Sequence, residues 1–362
     1  HRHRQHDDRH DVDDPVTRRL RVGLLAGGRS SEHDISLASA RSVLAALDPE
    51  RYDVVSVGIA RDGRWALADG SSSHVLRPGR ETGPAETLPV PAEGGTLAAL
   101  GAVDVVLPIL HGPFGEDGTV QGLLELAGIP YVGAGVAGSA LAMDKDLFKK
   151  VMRDSGIPVA RHHTIRDGDA VENPFGYPVF VKPARLGSSV GISKVHDEGE
   201  LEPAVALARR HDDKVLVEEF VAGTEVEVGV LGNRTPPPIA SLPGHIDTLD
   251  HEWYDFASKY DADGMRLVIP PELPQPTLEL VQQRAVDAFV AGECEGLARV
   301  DFFVRDDDGE VILNELNTMP GFTDTSVYAR LFEASGIGYA ELLDRLIALA
   351  LERAERRSAL EY

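Results

Sequence analysis

Between Ala298 and Asn317 the chain alternates apolar residues with Arg299, Asp301, Glu315 and Asn317, around the turn Asp306-Asp307-Asp308-Gly309. Successive side chains on a strand point to opposite faces. Arg299 and Asp301 therefore share one face of a first strand, and Glu315 and Asn317 share one face of a second. A loop centred on Asp308 sets Asp301 opposite Glu315. The intervening Val, Phe and Leu residues belong in a core, where charged side chains are seldom left without partners. The segment demands a sheet with one face packed and the other turned toward something that satisfies oxygen-bearing groups. A hard cation such as Mg²⁺ takes oxygen ligands and keeps substrate phosphates in its shell, whereas no Cys/His constellation suited to zinc is present. A solvated face with an internal salt bridge is the competing reading, and spacing alone leaves both open.

Upstream, the apolar stretch Arg21 to Ala26, the turn Gly27-Gly28, a helical stretch Ile35 to Leu47 and the Val-rich strand Tyr52 to Ala60 open a parallel α/β unit. Residues 61 to 100 are rich in Gly, Ser, Pro and Glu and read as a surface elaboration with a possible hairpin at Asp62-Gly63. A strand over Val103 to Leu110 and a helix over Thr119 to Ala127 complete the unit near Gly133. Helical segments through Leu141 to Ser155 follow, then a strand Val179 to Lys182 cut by Pro183, a short strand to Val195, a helix Leu201 to His211 and a strand Lys214 to Glu219. The last part holds a strand Glu225 to Leu231, a long polar connection Pro236 to Pro276, a helix Leu278 to Ala291, the hairpin and the final helices to about Glu355. At 362 residues the chain suits two or three domains rather than one core.

Three loops add chemistry. Lys182-Pro183-Ala184-Arg185-Leu186-Gly187-Ser188-Ser189-Val190-Gly191 resembles a phosphate cradle, since Gly-rich turns expose successive N–H groups beside a Lys. It lacks the Gly-Lys-Ser/Thr of a Walker loop, and a plain hairpin explains its glycines equally. Gly27-Gly28-Arg29-Ser30-Ser31-Glu32-His33 and His111-Gly112-Pro113-Phe114-Gly115-Glu116-Asp117-Gly118 both follow strands at the sheet end where ligands gather in open α/β sheets. Glu32 is equally explained by the helix dipole, and His111 by a structural role. Gly133 to Gly138 matches G-x-G-x-x-G but lacks the surrounding strand–helix–strand unit, so dinucleotide binding is not expected.

A formal charge of −23 opposes binding to nucleic acid. The single cysteine, Cys294, rules out an internal disulfide framework, and no apolar run is long enough for membrane insertion. Both fit a cytoplasmic protein. The polar start, with His1, His3, His6 and His10, reads as a solvated, disordered arm over 1–17 rather than a metal site.

Taken together, the segments 27–37, 111–122, 143–149, 181–192, 254–260, 299–304 and 314–326 resemble, in order, those of the D-alanine:D-alanine ligases of the ATP-grasp superfamily. The resemblance implies an α/β (α+β) chain with a three-domain ATP-grasp fold. An N-terminal Rossmann-like parallel-sheet domain would span 18–133, a central domain 134–217, and a C-terminal domain 218–355 carrying a lid loop at about 240–275. By the same resemblance Lys145 and Lys182 contact ATP phosphates and the Ser188-Ser189 loop covers them. Glu218, Glu219, Phe220 and Val221 lie along the adenine, Glu225 accepts from the ribose, and Lys259 closes on the γ-phosphate. Asp301, Glu315 and Asn317 match the family's ligands for two Mg²⁺ ions, possibly replaceable by Mn²⁺. Glu32 is implied to hold the ammonium of the first D-alanine, with His111 near its carboxylate. Arg299 and the N–H of Gly321 serve the oxyanion, and Ser326 takes the carboxylate of the second D-alanine. Tyr260 folds over the site onto Ser188 and Glu32 to exclude water.

The implied reaction answers a simple obstacle: an amine does not displace oxide from a carboxylate. Attack of that carboxylate on the γ-phosphate first gives an acyl phosphate, which the second amine can open. Tyr260 favours D-alanine as second substrate, whereas Val327, in place of the usual Met or Leu, and Ala329 depart from the family pattern beside that site. Rival readings are a D-alanine:D-lactate or D-alanine:D-serine ligase, and a non-catalytic ATP-grasp nucleotide-binding module. Homodimerisation is expected from the resemblance alone.

Overall fold

The computed structural model describes residues 18–67, 100–248 and 265–361. The arm at 1–17, most of the elaboration at 61–100, and the loop positions Lys259 and Tyr260 lie outside the described residues.

The first sheet grows from β1 (Leu20–Gly27), buried from Val22 onward as an inner parallel strand must be. After α1 (His33–Ala46) come β2 (Tyr52–Ile59) and β3 (Trp65–Leu67), the hairpin expected at Asp62-Gly63, and then β4 (Val105–Ile109) and α2 (Thr119–Leu126). β1 lies parallel between β2 and β4, giving the order β3-β2-β1-β4. Ser36, in the first turn of α1, accepts from Gly27 N–H at 2.7 Å and donates to Ile109 O. One hydroxyl thus fixes the helix to the C-terminal ends of both central strands.

The helical segments expected to Ser155 are α3 (Val136–Met143), which starts ahead of Leu141, and α4 (Lys145–Asp154). Asp144 divides them, its carboxylate accepting from Leu147 N–H at 3.1 Å as the cap of α4. The last glycine of the Gly133 to Gly138 motif lies within α3 and serves packing: a Cβ at Gly138 would lie 2.7 Å from the Glu293 carbonyl oxygen. The second sheet is built from β5 (His162–Ile165), β6 (Val179–Pro183), β7 (Ser193–Val195) and, after α5 (Glu198–Ala208), β8 (Val215–Glu219). Its order is β5-β8-β6-β7, all antiparallel. Pro183 does not cut its strand; it ends β6 opposite Val215. β5 was not expected, because its His-His-Thr-Ile sequence carries no apolar alternation.

The third sheet joins β9 (Gly223–Gly232), the short β10 (Ile239–Ala240), β13 (Gly296–Arg305) and β14 (Val311–Asn317), in the order β10-β9-β13-β14. β11 (His245–Thr248) pairs with β12 (Met265–Val268), so the polar connection contains strands that its composition conceals. α6 (Gln275–Ala291) and α4 pack beneath the third sheet, with Phe148, Met152, Val281 and Phe289 in one core with Val228, Val300 and Leu313. The last helices, α7 (Val327–Ala334) and α8 (Tyr339–Ser358), cross to the first sheet, where Tyr328, Phe332 and Leu346 join Leu24 and Leu107. Each such side chain contributes roughly 1.5–3 kcal/mol by leaving water. Arg353 of α8 donates to Tyr131 O at 2.6 Å and to Gly133 O, and its guanidinium lies 4.4 Å from the Tyr131 ring centre. The segment 318–326 is thereby brought to the C-terminal ends of β1 and β4.

Candidate active site

At the end of the first sheet, Ser30 Oγ donates to His111 O at 2.6 Å and accepts from Glu32 N–H at 3.2 Å. The two loops read as ligand-facing are therefore one structure. Glu32, buried at the N-terminal end of α1, accepts from the Ser188 hydroxyl of the second sheet. The His111 Nδ1–H donates to Met319 O at 2.9 Å, which leaves Nε2 as the unprotonated nitrogen, buried and without a hydrogen-bond partner. Burial lowers the pKa of this imidazole and keeps it neutral. Glu116 accepts from Gly112 N–H at 2.7 Å and Met319 N–H at 3.2 Å. Its own burial, and then the neighbouring Glu32 carboxylate, push its pKa up to about 8.

Gly112 occupies φ +72°, and a Cβ there would sit 2.8 Å from Glu32 Oε2. Gly112→Ala is expected to displace the Glu32 carboxylate and raise the KM for the first substrate about 10-fold, a loss of roughly 1.4 kcal/mol. Steady-state kinetics in that substrate checks it, and an unchanged KM would show that Glu32 does not bind it.

The glycine-rich loop follows β6. Ser188 and Ser189 take φ of 53° and 57°, a left-handed pair that turns the chain back. Gly191 closes the turn at φ +72°, where a Cβ would meet the His211 ring at 2.6 Å. Arg185 anchors the base of the loop, its N–H to Asp212 at 2.7 Å and its guanidinium to Asp212 and Asp213. α4 docks on the same loop, with Lys145 N–H to Ala184 O at 3.0 Å and Lys145 Nζ to Leu186 O at 2.6 Å. Lys145 Nζ also lies 4.0 Å from Glu315 Oε2, so one lysine spans the loop and the third sheet. Burial lowers its pKa, and Glu315 opposes the shift.

On the third sheet the register is the one expected: Arg299 faces Asn317 and Asp301 faces Glu315, with a bulge immediately after Asp301. The Arg299 guanidinium grips Asp301 through Nε to Oδ1 at 2.8 Å and Nη2 to Oδ2 at 2.7 Å, and Asn317 Nδ2 donates to Asp301 Oδ2 at 3.0 Å. The internal salt bridge of the competing reading thus exists; Asp301 is only 1% exposed, whereas Arg299, Glu315 and Asn317 around it are part-exposed. Among the described residues no three His, Cys, Asp or Glu side chains converge on a cation site. Two carboxylates and an amide remain the oxygen donors of this face.

The segment carrying Gly321 and Ser326 is held from four sides. His111 and Glu116 take both backbone groups of Met319. Phe322 N–H donates to Ser39 Oγ at 3.3 Å, Asp324 N–H to Ser42 Oγ at 3.0 Å, and the Tyr339 hydroxyl donates to Phe322 O at 2.8 Å. Ser326 donates to Thr323 O at 2.7 Å and immediately precedes α7, with Val327 half-buried beside it. Tyr339→Phe is expected to cost about 1 kcal/mol of stability, measurable by urea unfolding; no loss would mean that this hydroxyl does not hold the segment.

Along β8, Glu218 is buried between two lysines, accepting from Lys182 and lying 2.9 Å from Lys149. Burial alone would raise its pKa, but the two ammonium groups outweigh it and hold the carboxyl at about 2. The Glu219 carboxylate is turned away to Arg161 N–H at 2.7 Å, so its adenine role would fall to the backbone. Phe220 is partly exposed beside Phe180 and under the Lys194 ammonium, and Val221 is buried. Glu225, on β9, offers its backbone carbonyl to His245 Nδ1 at 2.8 Å. The sequence reading passed over Lys149, Glu227 and the side chain of Glu116. Lys149 stands one helical turn beyond Lys145 and Glu227 two residues beyond Glu225, spacings that share a face in each case.

Known proteins match this arrangement along nearly its whole length. The family model for the D-ala D-ala ligase N-terminus matches residues 21–134, and that for the D-ala D-ala ligase C-terminus matches residues 151–348. A D-alanine–D-alanine ligase of Mycobacterium sp. (strain KMS) is 48% identical over 362 positions, covering 92% of this chain and 97% of its own. The structure of the D-alanine-D-alanine ligase from Coxiella burnetii superposes with TM-score 0.78 at 37% identity, covering 94% of this chain and 96% of that one. The VanG D-Ala:D-Ser ligase from Enterococcus faecalis gives TM-score 0.81 at 34% identity, covering 92% of this chain and all of that one. With both halves of the chain matched by the family's models, and relatives of 37% and 48% identity covering more than nine-tenths of it, the chain belongs to the D-alanine–D-alanine ligase family.

Proposed function

We propose that this protein joins two D-alanine molecules into D-alanyl-D-alanine with hydrolysis of ATP to ADP and phosphate, supplying a peptidoglycan precursor in the bacterial cytoplasm. The observation that carries the reading is that the Ser188 loop of the second sheet contacts Glu32 at the first sheet, while Lys145 bonds the same loop and lies beside Glu315 of the third. Residues 18–133, 134–217 and 218–355 would act as the three bodies of the ATP-grasp fold, with 1–17 a solvated arm. Among the described residues no helix is long and apolar enough to cross a membrane. A homodimer is the proposed assembly.

The residues divide the work by chemistry. Glu32 suits the ammonium of the first D-alanine, being an anion fixed by Ser188. Lys145 and Lys182 suit the phosphates, with Ser188 and Ser189 over them, and Lys259 would close from the lid. Glu218 to Val221 would line the adenine and Glu225 the ribose. The oxygen donors Asp301, Glu315 and Asn317 fit Mg²⁺, with Mn²⁺ as an alternative, and the ions would neutralise charge on the nucleotide phosphates. The D-alanine carboxylate oxygen attacks the γ-phosphorus and ADP departs, leaving an acyl phosphate. The second amine then attacks the acyl carbon, and phosphate leaves with the carboxylate-derived oxygen. Arg299 and Gly321 N–H would meet the oxyanion, Ser326 the second carboxylate, and Tyr260 would exclude water.

Ser188→Ala removes a charge-assisted hydrogen bond to Glu32 and is expected to raise the D-alanine KM roughly 10-fold; a KM equal to the parent's would separate that serine from substrate binding. The likeness to VanG, together with Val327 beside the second-substrate site, favours D-serine as the second reading. ADP formation measured with D-alanine alone, and with D-serine, D-lactate or L-alanine added, distinguishes them. Fastest turnover with D-alanine alone supports the proposal. Preference for a mixed product, or no ADP with any amino acid, overturns it.

A further inference from the structure

On β9, paired directly with Asp301 of β13, stands Glu227, only 3% exposed, with its carboxylate 3.4 Å from Arg299 Nε. We propose that Glu227 is a positioning residue for the ligation step, holding the Arg299 guanidinium edge-on so that its remaining N–H groups face the acyl oxygen on which negative charge develops. The inference rests on the ligase reading above.

Its neighbours argue against a packing role. Val226, Val228 and Val230 supply the apolar face of the same strand and are fully buried. A buried ion pair confers no stability over a well-packed apolar side chain, so packing alone does not call for a carboxylate at position 227. Glu227 is not part of a three-carboxylate cation site, since none forms among the described residues. It is also rigidly placed: Glu227 N–H donates to Gly244 O at 2.8 Å and Gly244 N–H returns to Glu227 O at 2.9 Å. Gly244 in turn admits no side chain, because a Cβ there would lie 2.6 Å from Leu331 Cδ2.

The need for a second anchor follows from Asp301. Its two oxygens hold Nε and Nη2 of Arg299, yet the same oxygens are the donors assigned to the cation. With the Asp301 oxygens shared with a bound cation, Glu227 would keep the guanidinium in plane. Nη1 and the remaining Nη2 proton stay available to an anion, from the five donors a guanidinium carries.

The test is kinetic. In Glu227→Gln, kcat is expected to fall about 30-fold, in line with the cost of sub-ångström misplacement in a site, while the KM for ATP stays within about 2-fold. Glu227→Asp, which keeps the charge but withdraws it by one methylene, is expected to recover part of the loss. In an Arg299→Lys background, Glu227→Gln is expected to add less than about 2-fold, because both changes act through one group. An active parent with an equally active Glu227→Gln variant, a loss confined to KM for ATP, or full additivity with Arg299→Lys overturns this inference alone. Should Glu227→Gln fail to fold, unchanged kcat in Glu227→Asp overturns it equally. An inactive parent overturns the ligase reading as well.

Discussion

Glu315→Gln is expected to reduce D-alanyl-D-alanine formation by about three orders of magnitude, with melting temperature within about 2 °C of the parent. The substitution is isosteric, so it leaves no cavity. The Glu315 side chain is part-exposed on β14 and lies 4.0 Å from Lys145, so the fold does not depend on its charge. What is lost is one of two carboxylates on the proposed cation face, together with the counter-charge of a buried lysine. Product formation followed by chromatography, alongside thermal unfolding, separates the two consequences. Undiminished turnover contradicts the cation assignment. A collapse in melting temperature would instead make Glu315 a structural residue.

Glu218→Gln is expected to act the other way, on stability first. Its carboxylate is 2% exposed and lies between Lys149 and Lys182. Removing the charge strands two ammonium groups in a buried site, a loss of about 3–5 kcal/mol. The sign with pH follows from the depressed pKa. The stabilisation is fully present above the unfolded value near 4.5 and is lost as pH falls toward the folded value of about 2. The gap between parent and variant in urea unfolding should therefore narrow from pH 4.5 downward. A gap that stays constant over that range would mean that the charge is not the source of the stability.

Much of this was legible because period-two alternation carries register information. The turn at Asp306 to Gly309 and the alternation about Val300 and Leu316 predict Asp301 opposite Glu315, and the strands pair that way. The first sheet was equally readable, since continuous apolar runs and glycine turns leave few alternatives. Strands β5, β10, β11 and β12 were hidden. They are short, two to four residues each, too short for a period-two pattern to show. Lys149 and Glu227 were missed for another reason: a single charged residue inside an element looks solvated until the element facing it is known. The buried position of Glu218 depends on β8 lying between β5 and β6, a long-range pairing that no local pattern states.

The most direct measurement follows oxygen rather than rate. With D-alanine labelled in its carboxylate by ¹⁸O and unlabelled ATP, the account predicts one ¹⁸O atom in each phosphate released, because the attacking oxygen leaves with the phosphoryl group. Phosphate free of label, formed together with dipeptide, would contradict it.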